Sequence, residues 1–331
     1  MNNQLTATAI AHSNIALIKY WGKLAKLGNY PAVPSLSLTL DAFSTSTQVT
    51  FDPQLTRDEF ILDKSPNEGR PLERVTRLLD SIRSKSGLGL FARVVSTNNY
   101  PTASGLASSA SGFAALTLAA SRAAQLSMDP AALSCMARAC SASAARSIFG
   151  GFTILPVGAE CAMPFELDRA WDVALVVAVT DSAKKAIGST VAMNQCSATS
   201  PCYPVWTAAA PLLFARACDA LRQRDIDTLG QCMEESTWMM HATMLTAKPA
   251  VIYMAPATLS VINEIRNRRS SATPAYFTTD AGAHVKVLTL ASHADAVRNW
   301  IDRLPGVSQV VICRPGPAAH LMGQTMKGVE P

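Results

Sequence analysis

The sequence predicts an α+β protein, and three observations carry that expectation. Residues 6–51 alternate apolar and small polar side chains, most clearly in SLSLTLDAFSTSTQVTF, which is the period of half-buried strands. Beyond Lys184 the pattern lengthens into helices, over 205–224, 226–245 and 257–268. The chain then runs strand-like AYFTT, a turn at 280–283, strand-like VKVLTLAS, helical ADAVRNWIDRL and strand-like VSQVVIC. That succession describes an antiparallel sheet backed by helices.

Apolar residues make up 49% of the 331 and charged residues 16%, the balance of a chain that buries a core. Single cores tend to split beyond about 250 residues, so the chain forms one large domain or two smaller ones around separate cores. The change of pattern near Lys184 puts the division there, with residues 1–187 as one domain and 188–331 as the other. The net charge of +5 is small for this size, and the densest basic run, Arg266, Arg268 and Arg269, falls at a helix end. No nucleic-acid partner is expected, whereas small anionic ligands suit the mild positive excess. The first residues show no basic leader before an apolar stretch, and no apolar run is long enough to span a bilayer, so no membrane partner is expected. Eight scattered cysteines without the doubled short spacing of a zinc site read as reduced thiols of a cytoplasmic protein.

The string NNYPTASGLASSASGFAALTLAASRAAQL passes from a proline- and glycine-bearing loop straight into an alanine-rich helical pattern. Small residues at a helix start let phosphate oxygens reach free backbone N–H groups and the positive helix end. Pro101, Ser104, Gly105, Leu106, Ala107, Ser108 and Ser109 are therefore candidate nucleotide contacts. The Ser109 hydroxyl is a candidate ligand for Mg2+, which takes oxygen donors. An alanine-rich helix with serine caps is an equal alternative, and the GxxxxGK[ST] loop is absent.

Near the N-terminus, SNIALIKYWGK crowds Lys19, Tyr20, Trp21 and Lys23 at a strand end; buried aromatics and solvated lysines would account for it. A helix is announced by Asp129-Pro130 and closed at Gly150-Gly151. Ser141, Ser143 and Arg146 lie within about a turn and a half of it, so they either converge on one anion or form an ordinary helix end. Asp280, in TTDAGAH, either caps a turn or presents a rigidly held carboxylate. Lys185, Ser189 with Met193, and His241 have plain readings as a solvated lysine, a helix cap and a satisfied helical histidine, the last preferred for His241.

Together these strings resemble the diphosphomevalonate decarboxylases, within the superfamily of galactokinase, homoserine kinase, mevalonate kinase and phosphomevalonate kinase. Residues 101–110 are similar to that branch's phosphate loop, Pro-Thr-Ala-X-Gly-Leu-Ala-Ser-Ser-Ala. NIALIKYWGK is similar to its N-terminal signature, residues 138–147 to Arg-X-X-Ser-Gly-Ser-Ala-X-Arg-Ser, and TTDAG to Thr-X-Asp-Ala-Gly. The resemblance implies a two-lobed small-molecule-kinase fold. Its N-terminal ATP-binding lobe is like the second domain of ribosomal protein S5, its C-terminal lobe is ferredoxin-like, and the active cleft lies between them. ATP and Mg2+ are implied as cofactors, mevalonate 5-diphosphate as substrate, and a homodimer as the assembly. The reaction implied is 3-hydroxyl phosphorylation followed by decarboxylation to isopentenyl diphosphate.

By residue, the resemblance implies a catalytic group of Asp280, Arg146, Asn14 and Lys19. It implies substrate contacts from Tyr20, Lys23, Ser141, Ser143, Arg146, Ser189 and Met193, with Arg146 on the carboxylate, and it adds Lys185 to the nucleotide contacts. Three pairs depart from the family pattern: Cys140 and Ala142 replace glycines beside Ser141, Val33-Pro34 replaces Asn-Ser, and Ala283-His284 replaces Pro-Asn. These departures bear on whether the substrate carries a diphosphate, a monophosphate or neither. A kinase releasing ADP without carbon dioxide and a nucleotide-binding protein without turnover are the rival readings. Intact Asp280, Arg146 and Ser109 count against the second.

Overall fold

The computed structural model describes residues 5–100, 108–180 and 187–323. The alternating N-terminal stretch forms two long strands, β1 (Thr6–Ile18) and β2 (Ser35–Asp52). The short strands β3 (Glu59–Leu62) and β4 (Ser65–Pro66), helix α1 (Arg70–Ser86), strand β5 (Phe91–Asn98) and helix α2 (Ser108–Ala123) follow. Helices α3 (Pro130–Cys140) and α4 (Ala142–Arg146) then lead to β6 (Phe152–Leu155), β7 (Met163–Pro164) and β8 (Val173–Thr180). Four helices come next: α5 (Ser189–Thr199), α6 (Tyr203–Gln223), α7 (Ile226–Leu245) and α8 (Pro256–Arg268). The chain ends with β9 (Ala275–Thr279), β10 (Val285–Leu290), α9 (Ala294–Ile301), β11 (Val307–Cys313) and β12 (His320–Leu321).

Among the described residues the strands form two sheets, giving the α+β, two-lobed architecture that the sequence predicts. The first follows the order β12-β1-β2-β5-β3-β4, with β6 also on β2 and β7 on β6. The second is antiparallel, in the order β11-β8-β10-β9. The sheets do not divide the chain at one point, because β8 pairs into the second sheet and β12 returns to β1 in the first.

The alanine run of α2 has a packing reason. Ala110, Ala114, Ala115, Ala119 and Ala120 are all solvent-inaccessible, and such small side chains let the helix approach the first sheet closely. Helix α1 adds Val75, Leu78, Leu79 and Ile82 to that core at the spacing of one helical face. In the second sheet, Val173, Leu175 and Val177 of β8 face the core shared with β1, β2, α6 and α7. Ala174, Val176 and Ala178 face α8 and α9. Cover on both faces explains why VALVVAV is continuously apolar rather than alternating.

The helix expected from Asp129 to Gly150 is interrupted. It is capped as predicted, with the Asp129 carboxylate accepting from the Ala132 N–H at 2.7 Å. It stops at Cys140 because Ser141 is extended (φ −158°, ψ 120°), and α4 restarts at Ala142. This corner is what brings the serines of that segment into the site.

Candidate active site

β1 carries the first set of site residues. At its end the Lys19 backbone N–H donates to the Ser236 hydroxyl of α7 at 3.0 Å, which fixes the strand end against the second lobe. The Lys19 ammonium is 1% exposed and donates to the Ala16 carbonyl at 2.9 Å and to Asp280 Oδ1 at 2.7 Å. Asp280 follows β9 directly. Its second oxygen, Oδ2, lies 3.0 Å from Nζ of Lys286, which is 0% exposed. Two ammonium groups thus grip one carboxylate whose side chain keeps 28% exposure.

The protonation states follow from this arrangement. Burial opposes the charge on Asp280, but Lys19 and Lys286 outweigh it and hold the carboxyl far below the usual carboxylate range. Burial draws the Lys19 amine down to about 8, despite Asp280 favouring the charged form. Arg146 at the end of α4 is 2% exposed, and burial draws its guanidinium down to about 10. Its Nε donates to Asn14 Oδ1 at 3.1 Å and its Nη1 to the Ser35 hydroxyl at 2.8 Å. The Asn14 amide donates in turn to the Ser143 carbonyl at 2.9 Å and the Ser147 hydroxyl at 2.7 Å, tying α4 to β1. Among the described residues Arg146 has no carboxylate partner, so this buried cation is poised for an anionic ligand.

Asn14, Lys19, Arg146 and Asp280 face one cavity of about 230 Å³. The break at Ser141 directs the Ser141 and Ser143 hydroxyls into it, 3.1 Å apart. Tyr20, Lys23, Ser109, Ser189, Met193 and Thr190 line the same space. Lys23 Nζ donates to Asn29 Oδ1 at 2.7 Å and Thr190 Oγ1 at 3.1 Å. Burial, then Arg74 and Arg70, lower its affinity for a proton. The Tyr20 hydroxyl is buried without a partner among the described residues, and burial raises its proton affinity. An orphaned buried hydroxyl beside a polar cavity is the mark of a ligand contact. Cys140, a departure from the family pattern, also lines the cavity, and burial pushes its thiol up to about 11.

A second cleft of about 170 Å³ adjoins the first and shares Arg74 and Ser109 with it. Phe60, Leu62, Pro71, Val75, Phe113 and Leu116 make it mainly apolar, and Ser108 of the α2 start lies on its wall. Of the candidate nucleotide residues, only Ser108 and Ser109 can be located; Pro101, Ser104, Gly105, Leu106, Ala107 and Lys185 lie outside the described residues. Among the described residues, no three or more His, Cys, Asp or Glu side chains gather as metal ligands. His241 is a satisfied core histidine, as preferred. Its Nε2 sits 2.8 Å from the Thr279 hydroxyl, and burial draws it down to about 4.

Sequence reasoning missed Lys286, Arg74 and Asn29. Lys286 had no local signal, since only the pairing of β10 between β8 and β9 shows that its strand is covered and that the buried lysine needs a partner. Arg74 had none, looking like one more arginine on an amphipathic helix. It donates to the Cys140 carbonyl at 3.0 Å and stacks 4.4 Å from the Phe113 ring centroid. Asn29 donates to the Ala139 carbonyl at 2.7 Å and so links Lys23 to the end of α3.

Comparisons with known proteins identify the family and the fold. The family described as diphosphomevalonate decarboxylase-like N-terminal domain matches residues 11–163, and mevalonate 5-diphosphate decarboxylase C-terminal domain matches residues 175–313. The phosphomevalonate decarboxylase of Haloferax volcanii is 32% identical over 322 residues, spanning 96% of this chain and 98% of that protein. The mevalonate diphosphate decarboxylase of Staphylococcus aureus superposes with a TM-score of 0.90 at 34% identity, covering 96% of this chain and 98% of that one. A structure of MDDEF in complex with MVAPP, AMPPCP and magnesium gives 0.89 at 36% identity, covering 96% and 99%. The chain belongs to the diphosphomevalonate decarboxylase family.

Proposed function

We propose that the protein uses ATP to phosphorylate the 3-hydroxyl of mevalonate 5-diphosphate and decarboxylates the product to isopentenyl diphosphate. The observation that carries this reading is one cavity holding an ionised Asp280, an Arg146 without a carboxylate partner, and the paired hydroxyls of Ser141 and Ser143. A hydroxy acid bearing phosphate fills that set. In this reading Arg146, held by Asn14, takes the substrate carboxylate, while Tyr20, Lys23, Ser141, Ser143, Ser189 and Met193 surround the diphosphate end. The adjoining apolar cleft suits a nucleotide base, and its junction with the cavity at Ser109 suits the phosphates. The nucleotide therefore falls to residues 1–187, and the 188–331 part contributes Asp280 and Ser189.

Mg2+ fits as an ion carried on the nucleotide phosphates. The Ser109 hydroxyl is the one proposed protein ligand, and the ion supplies positive charge to the transferring group. Asp280 accepts a hydrogen bond from the 3-hydroxyl and so aims the hydroxyl oxygen of the substrate at the terminal phosphorus of ATP. A new bond forms between that oxygen and phosphorus, and the phosphorus–ADP bond breaks with its electron pair going to ADP. The hydroxyl proton passes through Asp280 to solvent. The phosphate then leaves C3 with its bonding pair, the pair from the C1–C2 bond becomes the C2–C3 double bond, and C1 departs as carbon dioxide.

The assembly proposed is a homodimer in the cytoplasm. Free cysteines throughout suit a reducing compartment, and the exposed Val205 and Leu212, seven residues apart on α6, suit contact with a second copy. The test of function is turnover with ATP-Mg2+ of mevalonate, its 5-phosphate and its 5-diphosphate, with the alkene product identified by mass. Isopentenyl diphosphate from the diphosphate is expected to form with the highest kcat/KM. Preference for the 5-phosphate, the substrate named for the Haloferax volcanii relative, would move the assignment to that acid.

A further inference from the structure

We propose that Lys286 is a positioning residue for phosphoryl transfer, which with Lys19 holds the Asp280 carboxylate ionised and in one orientation by gripping both of its oxygens. This rests on the function proposed above and adds a residue that the family motifs leave out. The strand pairing shows why Lys286 is not an incidental charge. On β10 it stands opposite Thr278 of β9 and Val177 of β8, so all three side chains point to one face of the second sheet. Asp280 lies two residues beyond Thr278 and points the same way. That face packs on α7, where the Thr278 and Thr237 hydroxyls are 2.8 Å apart. A fully buried lysine on such a face has no outlet to water, and among the described residues its ammonium meets only Asp280 Oδ2 at 3.0 Å and the His284 carbonyl at 3.4 Å.

The charge arrangement gives the residue its consequence. Among the described residues the charged and titratable groups around Asp280 are Lys19 at the end of β1, Lys286 from β10, Arg146 from α4 and His241 from α7. With one ammonium on each oxygen, the carboxylate cannot rotate without breaking an ion pair, and its remaining lone pairs face the cavity. Asp280 then orients the attacking hydroxyl and hands its proton on rather than storing it, in the balanced step described above. Losing Lys286 frees one oxygen and removes half of the positive grip.

The experiment compares wild type with Lys286→Met and Lys286→Arg. It records kcat and KM against pH, with thermal unfolding and binding of a non-hydrolysable ATP analogue as checks on the fold. Lys286→Met is expected to lower kcat by about a hundredfold with little change in either KM. The acid limb of its kcat profile should move up by about one pH unit or more, with Lys286→Arg restoring the limb. Wild-type kcat in Lys286→Met, or a fall in kcat with the acid limb unmoved, would overturn the proposal.

A second measurement needs no variant to fold beyond Asp280→Asn for assignment. Carbon-13 NMR of aspartate carboxyls in the wild-type protein is expected to show Asp280 without a titration midpoint down to about pH 3, below the ordinary aspartate value of about 3.9. A midpoint above that value would also overturn the proposal. A wild-type protein that turns over none of the three acids would remove the proposed function instead, and the NMR result would still decide whether the carboxylate is held ionised.

Discussion

At the residue scale, the proposed chemistry turns on one carboxylate and the cations around it. Asp280→Asn keeps the shape but loses the charge that orients the hydroxyl. It is expected to abolish turnover while leaving ATP-analogue and substrate dissociation constants within a few-fold of wild type, measured by calorimetry. In the proposed mechanism Lys19 sets the alkaline side. Its amine is drawn down to about 8, so activity is expected to fall as pH rises through that value. Stability should move the opposite way: the unfolded chain keeps the lysine proton up to the ordinary 10.5, binds more protons between the two values, and so loses ground to the folded state as pH rises. A kcat profile and a urea series at matched pH values check both signs. The sequence exposed most of this set, because Asn14, Lys19, Tyr20, Lys23, Ser141, Ser143, Arg146 and Asp280 stand in recognisable strings. Lys286 escaped because local pattern reads a strand lysine as solvated. Only the pairing of β10 between β8 and β9 shows otherwise.

At the element scale, strands and long helices were legible because their periods survive in the sequence, down to the Asp129 cap of α3. The break at Ser141 was not, since Cys140-Ser141-Ala142 contains neither proline nor glycine. It is held by contacts distant in sequence, including Arg74 on the Cys140 carbonyl and Asn14 on the Ser143 carbonyl. Helix α7 illustrates how tightly the second lobe is packed beside the site. A Cβ on Gly230 would lie 2.0 Å from the Tyr276 ring on β9. Gly230→Ala is therefore expected to lower unfolding free energy by about 1–3 kcal/mol, read as a shift in the urea midpoint. A midpoint equal to wild type would mean that α7 does not press on β9 as described.

At the scale of the whole molecule, the site exists only because the lobes meet. Lys19 and Asp280 are 261 positions apart, and their 2.7 Å contact joins the end of the first sheet's β1 to the turn after β9 in the second. No local reading of the sequence yields that meeting; resemblance to a known family suggested it, and the strand topology explains it. Joining phosphoryl transfer to loss of the carboxylate also belongs to this scale, since it needs the nucleotide cleft, the Arg146 corner and Asp280 at once. The most direct measurement is the ratio of ADP to carbon dioxide released from ATP-Mg2+ and mevalonate 5-diphosphate labelled at the carboxylate. Equal release of the two is predicted throughout the progress curve. ADP without matching carbon dioxide, or neither product, would contradict the account.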